Sequence, residues 1–169
     1  MGIGRTFQIT NVFHRLTVME NVLLAVNGTR NRKWVMHRPV AFFSKSLDDA
    51  SELLHLVGLA QRSAVSVQQL SYGERRQLEI ALALASKPRV LLLDEPASGL
   101  SPGERQNIAR TIEELPQDIT VILIEHDMSV VLGLADQVAV LHHGRLLIEG
   151  SPDEVRADAE VREVYLGKV

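Results

Sequence analysis

The segment Val90-Leu-Leu-Leu-Asp94-Glu95 is an unbroken apolar run that ends in two adjacent acids. A run without polar alternation is typical of a strand in a parallel sheet that is covered on both faces. A second such run, Thr120-Val-Ile-Leu-Ile124, follows it along the chain. Between them, Ser101-Pro-Gly-Glu104 combines an N-cap residue, a proline at the first helical position and a glutamate at the third. Strand, helix and strand predict a βαβ unit, and therefore an α/β fold.

Beyond the second run, the chain predicts a hairpin. A third apolar stretch, Gln137–Leu141, is followed by the turn His142-His-Gly-Arg145 and by Leu146-Leu-Ile148. Two short strands around a glycine-containing turn are typical of a hairpin, which we expect at the edge of the sheet. Ser151-Pro-Asp-Glu154 then repeats the capping pattern and predicts one more helix.

The first half of the chain is predicted to be mostly helical. Thr17-Val-Met-Glu20 is a capping box that opens a helix over Val18–Val26. Apolar residues at helical spacing predict a second helix over Ser46–Val57. Ser71-Tyr-Gly-Glu74 is another capping box, and it leads into a helix over Arg75–Ser86. The sequence thus predicts an α/β architecture with a helical lobe inserted ahead of the second half of the sheet.

Composition narrows the class of protein. The 169 residues are 46% hydrophobic, which suffices for the core of one domain. The net charge of -3 offers no electrostatic reason to propose nucleic acid as a partner. The chain has no cysteine, which excludes a disulfide framework and a thiolate metal site. No apolar run approaches the ~20 residues of a spanning helix, so we expect any membrane contact to go through a partner protein.

The adjacent acids Asp94 and Glu95 are the first candidates for chemistry. They follow a buried strand, where doubly wound folds bind their ligands. In nucleotide hydrolases one such acid holds Mg²⁺ and the next positions or deprotonates the attacking water. A strand that simply ends in a polar turn is the alternative interpretation, so the two acids need support from other motifs.

That support comes from Leu70-Ser-Tyr-Gly73-Glu74, upstream of the acids. Ser71 and the backbone N–H groups around Gly73 lie at a predicted helix N-terminus, which suits a phosphate. A capping box alone would explain Ser71 and Glu74, but it leaves Gly73 without a reason.

Two further polar residues fit the same chemistry. His126 follows the strand Thr120–Ile124 and could hydrogen-bond a γ-phosphate, although a lone histidine is more often structural. Gln8, in Arg5-Thr-Phe-Gln8, could sense Mg²⁺ and the attacking water.

In this order the motifs resemble those of the ATP-binding-cassette (ABC) ATPases. The correspondence pairs Gln8 with the Q-loop, Leu70–Glu74 with the signature, Val90–Glu95 with Walker B, Ser98–Ser101 with the D-loop and His126 with the switch histidine. The resemblance covers essentially the whole chain. It implies a partial P-loop NTPase (RecA-like) fold with an inserted helical subdomain. The implied single domain, residues 1–169, has a helical and signature part at about 9–86 and the C-terminal half of the catalytic core at 87–169.

Within the family, several short stretches look most like the ATPases of branched-chain amino-acid importers, with urea and amide importers as close neighbours. They are Arg5–Gln8, Leu16–Asn21, Glu95–Leu100, Ile124–Met128 and Val164–Gly167.

The resemblance also implies roles, partners and location. Glu95, His126 and Gln8 would be catalytic, and Asp94 with Gln8 would hold Mg²⁺. ATP would contact two groups of residues, the signature residues Ser71, Tyr72, Gly73 and Glu74 of a facing subunit and the D-loop residues Ser98, Gly99, Leu100 and Ser101. The implied partners are permease subunits and a second ATPase subunit, with a heterodimer favoured and no nucleic acid. The implied location is peripheral, at the cytoplasmic face of the inner membrane.

Two departures from the family pattern are visible. No Gly-x-x-x-x-Gly-Lys-[Ser/Thr] phosphate loop occurs in the sequence. We therefore expect an N-terminally incomplete chain that lacks strands beside Val90–Leu93, exposes apolar sheet edges, aggregates alone and binds ATP weakly or not at all. In addition, Ser101 stands where the family usually has Asp or Asn.

A basic cluster could face lipid headgroups or a transporter loop, although a solvated loop is the simpler interpretation. The cluster comprises Arg30, Arg32, Lys33, His37 and Arg38.

Two rival functions remain open at this point. A DNA-repair or chromosome-structuring ATPase would need a zinc module or a long coiled coil between Gln8 and Leu70, and that stretch has neither cysteine nor a sustained heptad. A non-hydrolytic protein that docks on a permease is the second rival.

Overall fold

The computed structural model describes residues 2–5, 12–28 and 44–166. The chain divides into two compact units, Met1–Ile124 and Glu125–Val169. Gln8 and the basic cluster between Arg30 and Arg38 lie outside the described residues. Within the described residues, no helix is long and apolar enough to cross a membrane.

The first unit contains a parallel sheet of three strands. β1 (Ile3–Arg5), β2 (Val90–Asp94) and β3 (Thr120–Ile124) lie in the order β1-β2-β3. Leu91 of β2 pairs with Gly4 on one side and with Val121 on the other. Both strands beside β2 are therefore present, so the expectation that Val90–Leu93 lacks its neighbours is wrong.

Among the described residues, three α-helices precede β2 along the chain. α1 (Val18–Gly28) runs two residues beyond the predicted end, and α2 (Ser44–Leu56) begins two residues before the predicted start. α3 (Tyr72–Leu84) begins at its predicted capping box. The α1 box also forms, because Thr17 N–H donates to Glu20 Oε2 over 2.7 Å and Glu20 N–H donates back to Thr17 Oγ1 over 3.2 Å.

α4 (Pro102–Glu113) connects β2 to β3 and completes the predicted βαβ unit. The core of the first unit joins the helices to one face of the sheet. Its largest fully buried side chains are Leu54, Leu59, Leu78, Ile80, Leu91, Leu93 and Ile108.

β3 departs from the prediction that both sheet faces are covered. Val121 and Leu123 pack against the core, whereas Ile122 is 47% exposed and Ile124 is 58% exposed. Successive side chains of a strand point to opposite faces, so only one face of this edge strand meets the core.

The second unit contains the predicted hairpin, β4 (Val138–His142) and β5 (Arg145–Gly150). The pair forms a two-stranded antiparallel sheet of its own, so its expected place at the edge of the parallel sheet is wrong. His143 and Gly144 at the turn have φ values of 47° and 75°. Positive φ at both central residues suits the twist of a two-residue hairpin.

Two helices pack with this hairpin in the second unit. They are α5 (Met128–Leu134) and α6 (Pro152–Ala157), which begins at the predicted capping box of Ser151 and Glu154. Four buried residues, Val138, Val140, Val155 and Val161, form their common core.

Candidate functional site

The acidic end of β2 lies beside the end of β3. Asp94 is the last residue of β2 and pairs in register with Ile124. The guanidinium of Arg5, on the neighbouring β1, has Nη2 3.8 Å from Asp94 Oδ2. The sequence singled out Asp94 but not this basic neighbour, because strand pairing alone brings Arg5 to it.

Glu95 has an unusual backbone for a residue with a side chain. Its φ is +46°, in the left-handed region that residues other than glycine seldom adopt. Two hydrogen bonds hold it there, since Glu95 N–H donates to Ile124 O over 2.8 Å and Ser98 N–H donates to Glu95 O over 3.2 Å. Such backbone strain is concentrated at functional sites, where the surrounding structure enforces it.

The predicted D-loop turns from Glu95 into α4. Gly99 has a φ of +73°, which makes glycine suitable for this turn. Leu100 is buried in the core, so its side chain anchors the loop. Ser101 is the N-cap of α4, and its hydroxyl accepts a hydrogen bond from Glu104 N–H.

The predicted signature forms the N-terminus of α3. Ser71 Oγ accepts from Glu74 N–H over 3.1 Å, and Ser71 N–H donates to Glu74 Oε2 over 2.7 Å. The other oxygen of Glu74, Oε1, lies 2.8 Å from Nε of Arg62. Glu74 is therefore engaged in capping α3 and in an ion pair.

Glu104 also reaches the signature, which the sequence did not predict. Gly73 N–H donates to Glu104 Oε1 over 3.2 Å, and Ser71 Oγ donates to the same oxygen over 3.3 Å. Hydrogen bonds from the hydroxyl and then from the N–H of Ser101 lower the pKa of Glu104 most; burial acts to raise it, and the hydrogen bonds from Gly73 and Ser71 add smaller decreases. In the sequence, Gly73 was the one indication of this contact, because the capping box gives no reason for a glycine at that position.

A shallow pocket opens over this contact. Its volume is about 270 Å³, and its lining comprises Ser71, Gly73, Glu74, Gln77, Glu104 and Asn107. Every lining side chain is polar or absent, so the pocket suits a polar ligand better than an apolar one.

Tyr72 links the signature to the D-loop. A Cβ built on Gly99 would lie 3.5 Å from Tyr72 Cε1, so the ring is in van der Waals range of the loop. Arg76 Nη2 donates to the Tyr72 hydroxyl over 2.9 Å, and Arg76 Nη1 donates to Glu79 Oε2 over 2.9 Å. Burial acts to lower the pKa of Arg76, but the interactions with Glu79 and Tyr72 outweigh it and raise the pKa. Arg76 therefore stays charged.

Two further predicted site residues are His126 and Gln8. His126 is exposed and belongs to the second unit. Next to it, Asp127 is the N-cap of α5 and accepts from Ser129 N–H over 3.0 Å. Gln8 is outside the described residues. In the first unit, the acids lie at the end of β2 and the D-loop joins β2 to α4. The signature begins α3, and Glu104 of α4 contacts it.

The hydrogen-bond donors and carboxylates of this site are compatible with a nucleotide and its metal ion. Ser71 Oγ and Gly73 N–H already hold a carboxylate, so their geometry accepts an anion. Among the described residues, no group of three or more His, Cys, Asp or Glu could hold a metal ion. Mg²⁺ usually takes one or two carboxylates together with phosphate oxygens and waters, and Asp94 fits that pattern.

Comparison with known proteins gives consistent matches. The ABC transporter family model matches residues 1–98, and a model of the branched-chain amino acid ATP-binding cassette transporter matches residues 145–169. The high-affinity branched-chain amino acid transport ATP-binding protein LivG of Salmonella typhimurium is 38% identical over 176 residues. This match covers 99% of this chain and 69% of LivG.

Solved structures agree with these matches. The ADP conformation of MJ1267, an ATP-binding cassette of an ABC transporter, is 26% identical with a TM-score of 0.76, covering 99% of this chain and 69% of that one. A dimeric post-hydrolysis state of the cassette MJ0796, bound to ADP and Pi, is 25% identical with a TM-score of 0.72, covering 89% of this chain and 63% of that one.

Proposed function

The chain belongs to the ABC transporter ATPases, and from that membership we propose that it is the ATP-hydrolysing subunit of an importer for branched-chain amino acids. The match of residues 145–169 to the branched-chain family and the identity to LivG support this substrate class over urea or amides. We propose a single domain for the chain, with a helical and signature part at about 9–86 and a catalytic part at 87–169.

The observation that carries the proposed hydrolysis is the strained position of Glu95. Its φ of +46° and its hydrogen bond to Ile124 hold it just beyond the end of β2. In the proposed mechanism, its carboxylate accepts a proton from the water that attacks the γ-phosphate. Asp94 and Gln8 would hold Mg²⁺, which neutralises charge on the phosphates when it is bound. His126 would donate a hydrogen bond to the γ-phosphate.

The signature would act on a nucleotide bound by a second subunit. Ser71 Oγ and Gly73 N–H are the proposed donors to its phosphate, aided by the partial positive charge of the α3 N-terminus. Tyr72 and Glu74 would line the contact. The D-loop residues would face the same nucleotide, with Ser101 in place of the family's usual Asp or Asn; they are Ser98, Gly99, Leu100 and Ser101.

The proposed partners follow from this arrangement. A second ATPase subunit supplies the facing half of the sandwich, and we favour a different chain, as in the branched-chain importers that this sequence resembles. Permease subunits carry the solute and provide the contact with the membrane, at its cytoplasmic face. Nucleic acid has no part in the proposal.

The test is Glu95→Gln in a full-length protein that carries the phosphate loop, assembled in the transporter with its permease and second ATPase. We expect phosphate release to fall by about 100-fold or more, because the proton acceptor is lost while the volume of the side chain is kept. ATP should stay bound, and uptake of labelled leucine should stop. Glu113→Gln, at the exposed end of α4, is the matched control and should leave all three measurements unchanged.

Two results would contradict the proposal in different ways. Hydrolysis near the unmutated rate in Glu95→Gln would remove Glu95 from the mechanism. Uptake of labelled urea but not of leucine by the unmutated transporter would leave the motor intact and overturn the substrate class.

A further inference from the structure

One carboxylate, that of Glu104, is shared between the N-termini of two helices. Its Oε2 accepts from Ser101 N–H over 3.0 Å and from Ser101 Oγ over 2.7 Å, which caps α4. Its Oε1 accepts from Gly73 N–H over 3.2 Å and from Ser71 Oγ over 3.3 Å, at the start of α3. Each oxygen therefore serves a different helix.

The same local motif elsewhere in the chain does not do this. Ser151-Pro-Asp-Glu154 repeats the pattern of Ser101-Pro-Gly-Glu104, and Glu154 Oε2 accepts from Ser151 N–H and Oγ over 2.8 Å and 2.7 Å. The capping box thus accounts for Oε2 of Glu104 but not for the contact of Oε1 with the signature.

Gly73 is what admits the carboxylate to the signature. A Cβ on residue 73 would lie 2.5 Å from Glu104 Oε1 and 2.7 Å from Glu104 Cγ, which is closer than real contacts allow. Gly73 lies within α3, and its backbone does not have the positive φ that would by itself require glycine. The close approach of Glu104 therefore explains the glycine.

The contact matters because its donors are those proposed to bind a nucleotide phosphate. A carboxylate oxygen and a phosphate oxygen both accept hydrogen bonds from N–H and O–H groups, and both are anionic. Two anions on the same donors would repel each other at short range, so the two acceptors exclude one another.

We propose that Glu104 is an internal competitor that occupies the Ser71 and Gly73 donors until the phosphate of a nucleotide displaces it. This inference rests on the proposed function of the signature. On displacement, rotation about the bonds of the Glu104 side chain moves Oε1 away from the signature while Oε2 keeps its bonds to Ser101. Glu104 is thus a positioning residue: its side chain links anion binding at Ser71 and Gly73 to the position of Ser101 at the end of the D-loop.

The competitor sets the apparent affinity for an anion. If the carboxylate covers the donors about nine-tenths of the time, the apparent dissociation constant of a competing anion rises about 10-fold. Removing the carboxylate should lower that constant by the same factor.

The experiment titrates inorganic phosphate into the full chain and follows the ¹⁵N-labelled amide of Gly73 by NMR. In Glu104→Ala the half-saturating phosphate concentration should fall about 10-fold relative to the unmutated chain. Glu154→Ala loses the equivalent capping box at the start of α6, so it should leave that concentration unchanged. If Glu104 had only a structural role, the half-saturating phosphate concentration of Glu104→Ala would equal that of the unmutated chain.

Glu104→Gln protects the test against a loss of folding, since glutamine also serves at this position of a capping box. It removes the charge that repels phosphate, so its half-saturating concentration should also fall. Equal concentrations in the unmutated chain and both Glu104 variants, or no response of Gly73 to phosphate, would overturn the inference.

A second measurement separates this inference from the proposed function. ATP-dependent association of the chain with the second ATPase subunit reports whether the signature acts in trans. Association with no difference among the phosphate titrations leaves the function standing and refutes the competitor. Competition without association supports the competitor and refutes the sandwich.

Discussion

Gly73 and Glu104 approach so closely that no side chain fits between them, with 3.2 Å from Gly73 N to Glu104 Oε1. In Gly73→Ala the new Cβ must push the carboxylate away, which loses a hydrogen bond to a charged group. We expect that loss to exceed the ~1 kcal/mol by which alanine favours a helix, because the displaced hydrogen bond is made to a charged group. We expect Gly73→Ala to destabilise the chain in urea unfolding.

The sign of that effect should reverse when Glu104 is absent. In a Glu104→Ala background the three atoms nearest to the Cβ are gone, so Gly73→Ala should stabilise α3 by about 0.5–1 kcal/mol. Gly103→Ala is the control, because its Cβ would meet nothing within 4 Å, and it should have the same effect in both backgrounds. A Gly73→Ala effect that is independent of Glu104 would refute the close contact.

Arg76 and Glu79 form an ion pair within α3, with side chains only 10% and 8% exposed. Glu79→Ala leaves the guanidinium buried without its carboxylate, so we expect a loss of about 3 kcal/mol in the free energy of unfolding. In this variant the hydrogen bond from Arg76 to the Tyr72 hydroxyl remains, but that hydroxyl does not neutralise the charge of the guanidinium. The exposed pair Arg156–Asp153 provides the comparison, since Asp153→Ala should cost under about 0.5 kcal/mol. Similar losses in the two variants would contradict the prediction.

Acid should weaken α1 through Glu20. Hydrogen bonds from the Thr17 N–H and then from the Thr17 hydroxyl lower the pKa of Glu20 below its ordinary value of 4.5. The native state thus binds this proton less readily than the unfolded state does, so the stabilisation is complete above pH 4.5 and is lost as pH falls through the native pKa. Glutamine resembles the protonated acid. The difference in urea midpoint between the unmutated chain and Glu20→Gln should therefore shrink as pH falls below 4.5, and a constant difference would refute this account.

The hairpin turn can be made more stable. His143 has a φ of 47° and precedes Gly144, and Asn-Gly is the preferred central pair of a two-residue hairpin turn with positive φ at both positions. Because asparagine tolerates this region, His143→Asn should stabilise the hairpin by about 0.5–1 kcal/mol and slow hydrogen exchange at the amides of β4 and β5. His142→Asn, at the end of β4, should bring no such gain. Faster exchange in His143→Asn would be the contrary result.

Much of the local structure could be predicted because its causes lie within a few residues. The capping boxes at Thr17, Ser71, Ser101 and Ser151 each join residues three positions apart, and all four form. The apolar runs at Val90 and Thr120 also form strands. The roles of Glu95, His126 and Gln8 remain predictions that the proposed experiments test.

The features that escaped prediction depend on segments that are distant along the chain. Arg5 reaches Asp94 only because β1 pairs with β2, and Glu104 reaches Gly73 across 31 positions because α3 and α4 pack together. The strained φ of Glu95 is enforced by a hydrogen bond to Ile124 of β3. Local patterns along this chain determine where helices and strands begin, whereas packing determines which polar groups meet, because hydrogen bonds and ion pairs form only at short range.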